Sequence, residues 1–366
     1  MQKSLPLPLQ PFHTMIGINC FNSHCQGENH KSSGKPCQDY SFSLVQDDYA
    51  LAVVSDGHGG ERYFRSDIGS MLAVEVTVKC VTEFAKNFSA DTYSEKPLTA
   101  IGIGEPGLSI LGQLTGSIIV GWRNAVKEHV VTHPLTKAER LIAEPKDEHE
   151  WEKAYGCTLI VTLRTSHYWL AFQIGDGKSV AIGDDGIPYE PVPWDDRCFL
   201  NRTTSICDAT AANEFRYCIG GNDTAPVAIF LGSDGIDDSF GEEENLYNFY
   251  VQLAKSFAKD GYDVTTADLE ATLPILSKRG SQDDMSVAGW YDERLAGMIT
   301  QLSSWQTQRL MAKQESLIGK IASAWHQIIY DHPSEPTKDI LFSELLRCGN
   351  EKMLIDKKIA HIKDDK

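Results

Sequence analysis

Aspartates followed by glycine stand at the ends of three apolar segments of the chain. These pairs are Asp56-Gly57 after Leu51–Ser55, Asp176-Gly177 after Leu170–Gly175, and Asp234-Gly235 after Ala228–Ser233. Two further acidic elements flank segments of the same kind, namely Asp39 before Tyr40–Gln46 and Asp283-Asp284 before Met285–Tyr291. If these segments are strands whose ends lie on one side of a sandwich, the carboxylates converge on one place.

Converging carboxylates indicate a metal site. Several carboxylates within a few ångströms of one another cannot all be ionised unless a cation compensates them. Hard oxygen ligands select Mg²⁺ or Mn²⁺, and a glycine after each aspartate lets the backbone approach the ion and expose its carbonyl. Two such ions about 3.5–4 Å apart can hold a bridging water, lower its pKa and direct it at phosphorus.

Each Asp-Gly pair on its own is an ordinary hairpin-turn signal, and a turn is the more frequent explanation for any single pair. The segment Asp56-Gly57-His58-Gly59-Gly60 differs, because it places a histidine among glycines directly before a helical pattern. Backbone freedom of this kind is costly to fix, and no folding reason for it is evident from the sequence. The segment therefore favours a functional loop.

The segments that would position these residues are strands and helices in mixed order. Short runs rich in Val, Ile, Phe, Tyr and Trp predict strands at Tyr40–Gln46, Tyr49–Ser55, Cys157–Leu163, Tyr168–Ile174, Lys178–Ile182, Pro226–Gly232 and Met285–Tyr291. Helical periodicity predicts helices over Glu61–Phe88, Leu108–Val130, Glu243–Ala258 and Thr266–Ser277. Because strands and helices do not alternate strictly, an antiparallel sandwich covered by helices is favoured over a doubly wound sheet. Asp185–Asp223 reads as an irregular excursion, and helical stripes follow Tyr291.

Composition and charge exclude several classes of protein. The chain has 366 residues, 42% of them apolar, and a net charge of -17. Such a chain can bury a sizeable core, and its negative field disfavours nucleic acid as a partner. The nine cysteines form no CxxC pair and favour reduced thiols in a cytoplasm. No apolar run reaches the length of a membrane span, and the N-terminus lacks the pattern of a signal peptide.

Taken together, the motifs resemble those of the metal-dependent protein phosphatases of type 2C, in a divergent, bacterial-like form. The resemblance covers roughly His13 to Tyr291. The matching motifs, in order along the chain, are Gln38-Asp39, Asp56-Gly57-His58-Gly59-Gly60, Gly156-Cys157-Thr158, Gly175-Asp176-Gly177, Ser233-Asp234-Gly235 and Asp283-Asp284-Met285-Ser286-Val287. Any one of them is weak evidence, whereas their order and spacing together are specific.

The resemblance implies an α+β fold: a four-layer α-β-β-α sandwich of two antiparallel sheets, with two or three Mn²⁺ or Mg²⁺ ions at one end. It implies metal ligands at Asp56, which bridges two ions, at the carbonyl of Gly57, and at Asp234, Asp283, Asp39 and Asp176, the last for a weaker third ion. His58 matches the general acid that protonates the leaving alkoxide, while Asp56 also belongs to the catalytic set. The implied substrate is phosphoserine or phosphothreonine in a phosphorylated protein.

Two positions depart from the family pattern. Gln38 stands where the family commonly has glutamate, and a neutral amide contributes no charge although it can contact metal-bound water. Gly34 occupies the place of the arginine that usually clamps phosphate. We expect Lys35 to contact the phosphate instead, with Lys31, His30 or Arg62 as alternatives. A lysine offers a point charge rather than a two-pronged fork.

These expectations divide the chain into an N-terminal tail over residues 1–12, a catalytic domain over 13–292 and a helical C-terminal extension over 293–366. Two other functions remain open: a catalytically weak module that binds a phosphorylated partner, and a phosphomonoesterase acting on small molecules. A loose cluster of Cys20, His24, Cys25, His30 and Cys37 fits no standard zinc pattern, so packing or surface roles are expected for it.

Overall fold

Two five-stranded antiparallel sheets form the centre of the protein in a computed structural model that describes residues 17–46, 48–87, 110–143, 150–199 and 202–364. One sheet contains, in spatial order, β1 (Ile18–Cys25), β10 (Met285–Asp292), β9 (Ala228–Gly232), β6 (Lys178–Ile182) and β7 (Pro188–Tyr189). The other contains β2 (Tyr40–Val45), β3 (Tyr49–Ser55), β4 (Leu159–Thr165), β5 (Tyr168–Ile174) and β8 (Arg216–Gly221).

The central strands are apolar on both faces because both faces are covered. Every residue of β3 is buried. Leu51 and Val53 pack with the helix residue Trp122, whereas Ala52 and Val54 pack between the sheets. This double burial explains why the strand reads as a continuous apolar run instead of an alternating one.

Helices cover the outer face of each sheet, which gives four layers. In chain order the helices are α1 (Glu28–Ser33), α2 (Ser66–Asn87), α3 (Ile110–Thr132), α4 (Lys137–Ala143), α5 (Asp234–Asp237), α6 (Glu243–Asp260), α7 (Tyr262–Arg279), α8 (Ile299–Tyr330) and α9 (Glu335–Asp364). On one side α3 packs on α2, where the indole of Trp122 donates to the carbonyl of Gly69. On the other side Tyr250 of α6 stacks on Phe230 of β9. The predicted α+β sandwich of two antiparallel sheets is confirmed.

Three strands of the sandwich were not predicted: β1, β8 and the two-residue β7, which lies in the segment read as an irregular excursion. Strand β1 carries polar residues at Asn19, Asn22, Ser23 and His24, and these hide its apolar face in the sequence. Asn22 forms a hydrogen bond at the edge of the sandwich, where its side chain donates to the carbonyl of Ser41 at 3.3 Å. Strand β8 ends in two glycines and is only partly buried along its length, so the sequence read it as part of an irregular excursion.

Residues Asp184–Ile187 and Ala296–Lys366 form a second compact unit. Here α8 and α9 pair along an apolar seam, whose buried members are Leu310, Leu317, Cys348, Ile355 and Ile359. The helical C-terminal region is thereby confirmed.

The predicted boundary at residue 292 stays a prediction. The predicted tail over 1–12 lies outside the described residues, as do Phe88 and Leu108 at the ends of two predicted helices. Within the described part of the chain, no helix combines the length and the apolar character needed to cross a bilayer.

Candidate active site

Strand register brings the predicted ligands to one end of the sandwich. Tyr40 of β2 pairs with Ser55 of β3, so Asp39 and Asp56 are neighbours just beyond that pair. In the other sheet Val287 pairs with Gly232, which sets Asp234 beside the start of β10. The two sheets then meet, because the hydroxyl of Ser286 donates to Asp39 Oδ2 at 2.8 Å.

The electrostatics of this end show how close the carboxylates lie. Desolvation and then the charges of Asp284 and Asp234 raise the pKa of Asp39 to about 8, against hydrogen bonds from Ser233 and Ser286. Desolvation also raises the pKa of Asp234 to about 7, with repulsion from Asp176 and Asp283 adding to it. These shifts belong to groups that cannot all carry charge in the structure as it stands.

Asp56 is at the centre of the group. Desolvation raises its pKa well above the ordinary value, followed by repulsion from Asp234 and Asp39, and its carboxyl is hydrogen-bonded to that of Asp234. Two carboxyls in such contact share a proton unless a cation replaces it. Desolvation likewise raises the pKa of Asp176, opposed by a hydrogen bond from Thr203.

The donors present fit hard divalent cations. The converging groups offer carboxylate oxygens, which Mg²⁺ and Mn²⁺ prefer over nitrogen or sulfur. A second observation agrees: the Oε1 atom of Gln38 is buried and has no hydrogen-bond partner. Its orientation is determined by Ser66, whose hydroxyl donates to the carbonyl of His58 at 2.9 Å and must accept from Gln38 Nε2 at 2.6 Å. The amide oxygen is therefore left facing away from Ser66, available to a water on a cation.

Asp283 and Asp284 are adjacent but differ in environment. Asp283 is exposed. It lies near enough to Asp234 for its charge to raise the pKa of Asp234, as expected for a ligand at the mouth of the site. Asp284 is 2% exposed and accepts hydrogen bonds from the backbone N–H groups of Gly27 and Gln38 and from His30 Nδ1.

The loop with the histidine is held tightly. A Cβ atom at Gly57 would come within 2.6 Å of the carbonyl oxygen of Gln38, so this glycine is required for packing as well as being a predicted ligand. The N–H of His58 donates to the carbonyl of Gly156 at 3.1 Å, and its ring meets the edge of Tyr63. Desolvation lowers the pKa of His58 to about 4, so the ring is neutral at neutral pH in this structure.

Lys35 lies at the edge of the same loop. Its Nζ atom donates to the carbonyl of Gly59 at 3.5 Å, in an exposed position. Arg62, an alternative cation, is exposed on the turn after the loop.

Two residues near the site occupy places that the sequence does not indicate. His30, an alternative phosphate contact and a member of the loose Cys/His cluster, pairs with Asp284. Arg216 of β8 donates to the carbonyls of Gly175 and Pro193 and lies near Asp176. Its place depends on the pairing of β8 with β5, and no local motif indicates that pairing.

The fold and the acidic centre support the class of metal-dependent phosphatases. Residues 26–274 match the model of the protein phosphatase 2C family, and the chain belongs to that family. Among solved structures it is similar to PstP/Ppp of Mycobacterium tuberculosis, with 14% identity, 76% of this chain and 100% of that chain covered, and a TM-score of 0.45. It is also similar to Stp1 of Staphylococcus aureus, with 14% identity, coverage of 78% and 100%, and a TM-score of 0.47. For PppA of Pseudomonas aeruginosa the identity is 15%, the coverage 75% and 98%, and the TM-score 0.46. No curated protein matches the chain.

Proposed function

We propose that the protein hydrolyses phosphoserine and phosphothreonine in phosphorylated proteins, using two or three Mn²⁺ or Mg²⁺ ions. The observation that carries this proposal is the convergence of Asp39, Asp56 and Asp234, whose pKa values are raised by desolvation and by the charges of neighbouring aspartates. Within the described residues, no lysine, arginine or histidine is among the main electrostatic influences on these three carboxyls. A group of carboxylates without such compensation is suited to bind metal.

The ligands proposed for the ions are Asp56, the carbonyl of Gly57, Asp234 and Asp283, with Asp39 supporting the centre and Asp176 serving a third ion. When bound, the cations would polarise a phosphoryl oxygen and lower the pKa of the water that attacks phosphorus. Gln38 would accept a hydrogen bond from a water on a cation through its unpartnered Oε1 atom. Since this side chain is neutral, it adds a hydrogen-bond acceptor without adding to the repulsion.

His58 is proposed to protonate the leaving alkoxide, which is a poor leaving group without a proton. Desolvation keeps its ring neutral at neutral pH, so it must gain a proton when substrate arrives. The phosphate dianion would favour the imidazolium, because a nearby negative charge raises the pKa of a histidine.

Lys35 is proposed to contact the phosphate. A chain of net charge -17 repels an anionic substrate unless positive charge is placed at the site. The Nζ atom of Lys35 already reaches the loop that contains His58. One charge-assisted hydrogen bond from it to a phosphate oxygen would contribute roughly 1.5–3 kcal/mol.

The proposed setting is the cytoplasm, with a phosphorylated protein as partner and neither nucleic acid nor membrane involved. All nine cysteines of the chain lie in the described ranges as free thiols, in keeping with a reducing compartment.

The test is a metal-by-metal assay on a phosphothreonine peptide and on p-nitrophenyl phosphate. We expect hydrolysis of both with Mn²⁺ or Mg²⁺ and none with chelator. Full activity in chelator would contradict the metal mechanism. Hydrolysis of p-nitrophenyl phosphate but of no phosphopeptide would instead identify a small-molecule phosphomonoesterase, and phosphopeptide binding without turnover would identify a binding module.

A further inference from the structure

The residues from Gly27 to Gln38, here called the 27–38 segment, connect β1 to the first acidic ligand. They contain helix α1, the left-handed turn at Gly34 with a φ of 71°, and Lys35. Asp39 follows immediately, so the position of this segment sets both a proposed ligand and the proposed phosphate contact.

A single carboxylate holds the segment at three points. Asp284 Oδ1 accepts from the N–H of Gly27 at 2.6 Å, at the start of the segment. Asp284 Oδ2 accepts from the N–H of Gln38 at 2.5 Å, at its end. The same oxygen accepts from His30 Nδ1 at 2.8 Å, near the middle. Hydrogen bonds of N–H groups to an ionised acceptor are among the stronger ones in proteins.

The surroundings confirm close docking at this place. A Cβ atom on Gly27 would come within 2.3 Å of the carbonyl carbon of Asp283, so only glycine allows the approach. The N–H of Asn29 donates to the carbonyl of Gln282 at 3.0 Å. The segment is therefore tied to the turn before β10 by backbone groups as well as by Asp284.

His30, Asp283 and Asp284 also place potential ligand atoms within 4.8 Å of one another. The hydrogen bonds decide against a metal at Asp284. Two backbone N–H groups point at its oxygens, and their positive ends would repel a cation there. Asp284 and His30 form a hydrogen-bonded clamp instead.

The clamp leads directly to Lys35. The carbonyl of His30 accepts from the N–H of Lys35 at 3.0 Å, which closes the turn through Gly34. From that turn the side chain of Lys35 extends to the carbonyl of Gly59. The chain of contacts thus runs from Asp284 through His30 and Lys35 to the loop that contains His58.

We propose that His30 is a positioning residue, whose pairing with Asp284 holds Lys35 at the phosphate-binding edge of the site. This inference rests on the proposed function, since it assigns His30 to the binding of the same phosphate. His30 acts only through Lys35 and touches neither substrate nor metal. Removing His30 should therefore matter while Lys35 is present and should cease to matter once Lys35 is gone.

The test is a double-mutant cycle of His30→Ala and Lys35→Ala. The first readout is the dissociation constant of inorganic phosphate, measured by calorimetry with saturating Mn²⁺, which needs no turnover. The second is kcat and KM on a phosphothreonine peptide. His30→Asn keeps an N–H donor at the position of Nδ1 and serves as the conservative variant. His24→Ala is the matched control, because it removes a similar bond, from His24 Nδ1 to Ser41 Oγ, outside the segment.

We expect His30→Ala to weaken phosphate binding and raise KM by about 10-fold, the scale of one misplaced charge-assisted hydrogen bond, with kcat changed less. In the Lys35→Ala background the same substitution should change either quantity by less than about 2-fold. His30→Asn should stay within about 3-fold of the parent, and His24→Ala should match the parent. If His30→Ala does not fold, His30→Leu repeats the cycle with the volume filled and the donor removed.

If the effects of His30→Ala and Lys35→Ala multiply in the double variant, the inference is overturned. A His30→Ala variant that binds phosphate like the parent would also overturn it. A parent protein that binds no phosphate with Mn²⁺ present would overturn it as well. A parent that binds phosphate but hydrolyses no ester would refute the proposed function alone. In that case the cycle on phosphate affinity still decides the role of His30.

Discussion

Replacing Asp56 by asparagine should change stability in opposite directions with and without divalent metal. Without metal, Asp56 faces Asp234 and Asp39, and desolvation together with their charges raises its pKa. Two like charges about 4 Å apart repel by about 1 kcal/mol in bulk water and by about 4 kcal/mol near a protein surface. The neutral amide should therefore relieve repulsion of about 1–4 kcal/mol at pH 7.5. At about 2–4 °C per kcal/mol for a domain of this size, the metal-free variant should melt several degrees above the parent.

With Mn²⁺ the sign reverses, because the variant loses a ligand. A cation at 100 times its dissociation constant stabilises the folded state by about 2.7 kcal/mol. The Asp56→Asn protein should lose much of that gain, so it should melt below the parent when metal is present.

The pH dependence follows from the same shifts. A carboxyl whose pKa is raised on folding adds stability below its unfolded pKa of about 4, and that stability is lost as pH rises through the folded value. For Asp39 and Asp234 the folded values are about 8 and about 7. The metal-free parent should thus lose stability between about pH 5 and pH 8. The advantage of the Asp56→Asn variant should shrink toward pH 5, where the neighbours are protonated.

The assay is thermal unfolding followed by circular dichroism, in chelator and in MnCl₂, at pH 5 and pH 7.5. Asp292→Asn is the matched control: Asp292 is 8% exposed and accepts from the backbone and guanidinium of Arg294. This control should be destabilised equally with and without metal. If Asp56→Asn behaves like it, the carboxylates do not repel one another and the argument for a metal centre fails.

Three further predictions concern the chemistry. Asp234→Asn and Asp283→Asn should each lower kcat at least ~100-fold in a Mn²⁺-supported assay, and either variant with parental turnover would remove that residue from the ligand set. His58→Ala should slow phosphoserine hydrolysis roughly 10²–10⁴-fold but p-nitrophenyl phosphate hydrolysis less, since p-nitrophenolate leaves without a proton; equal losses would assign His58 to structure. Truncation near Leu295 should leave metal-dependent hydrolysis of p-nitrophenyl phosphate intact, and a folded but inactive product would show that the C-terminal helices complete the site.

The sequence predicted those elements whose cause is local. Strand β3 is covered on both faces, so its apolar run was recognisable. Strand β1 was missed because its polar side chains, such as Asn22, hydrogen-bond to β2 across the edge of the sandwich. The Asp-Gly motifs indicated carboxylates at strand ends, while the register that brings Asp39 to Ser286 is visible only in the fold.

Contacts of long sequence separation account for what was missed in the site. The bond between His30 and Asp284 joins residues 254 positions apart, and no local pattern marks either partner. His30 stood in a loose group of cysteines and histidines that fits no metal motif. Asp284 follows Asp283 directly, and the resemblance assigns the ligand role to Asp283. Nothing in the sequence shows that Asp284 is the buried acid that accepts three hydrogen bonds.

The contrast between acidic residues in this fold strengthens the interpretation of the site. Elsewhere the protein pairs partly buried acids with arginine, as in Asp292 with Arg294 and Glu139 with Arg65. The bond from Arg65 lowers the pKa of Glu139 to about 2. At the acidic centre, by contrast, the main electrostatic influences on Asp56 are other carboxylates. Asp292 and Glu139 are each compensated by an arginine, whereas Asp56 lies among other carboxylates. Such an arrangement favours a cation from outside the chain at the acidic centre.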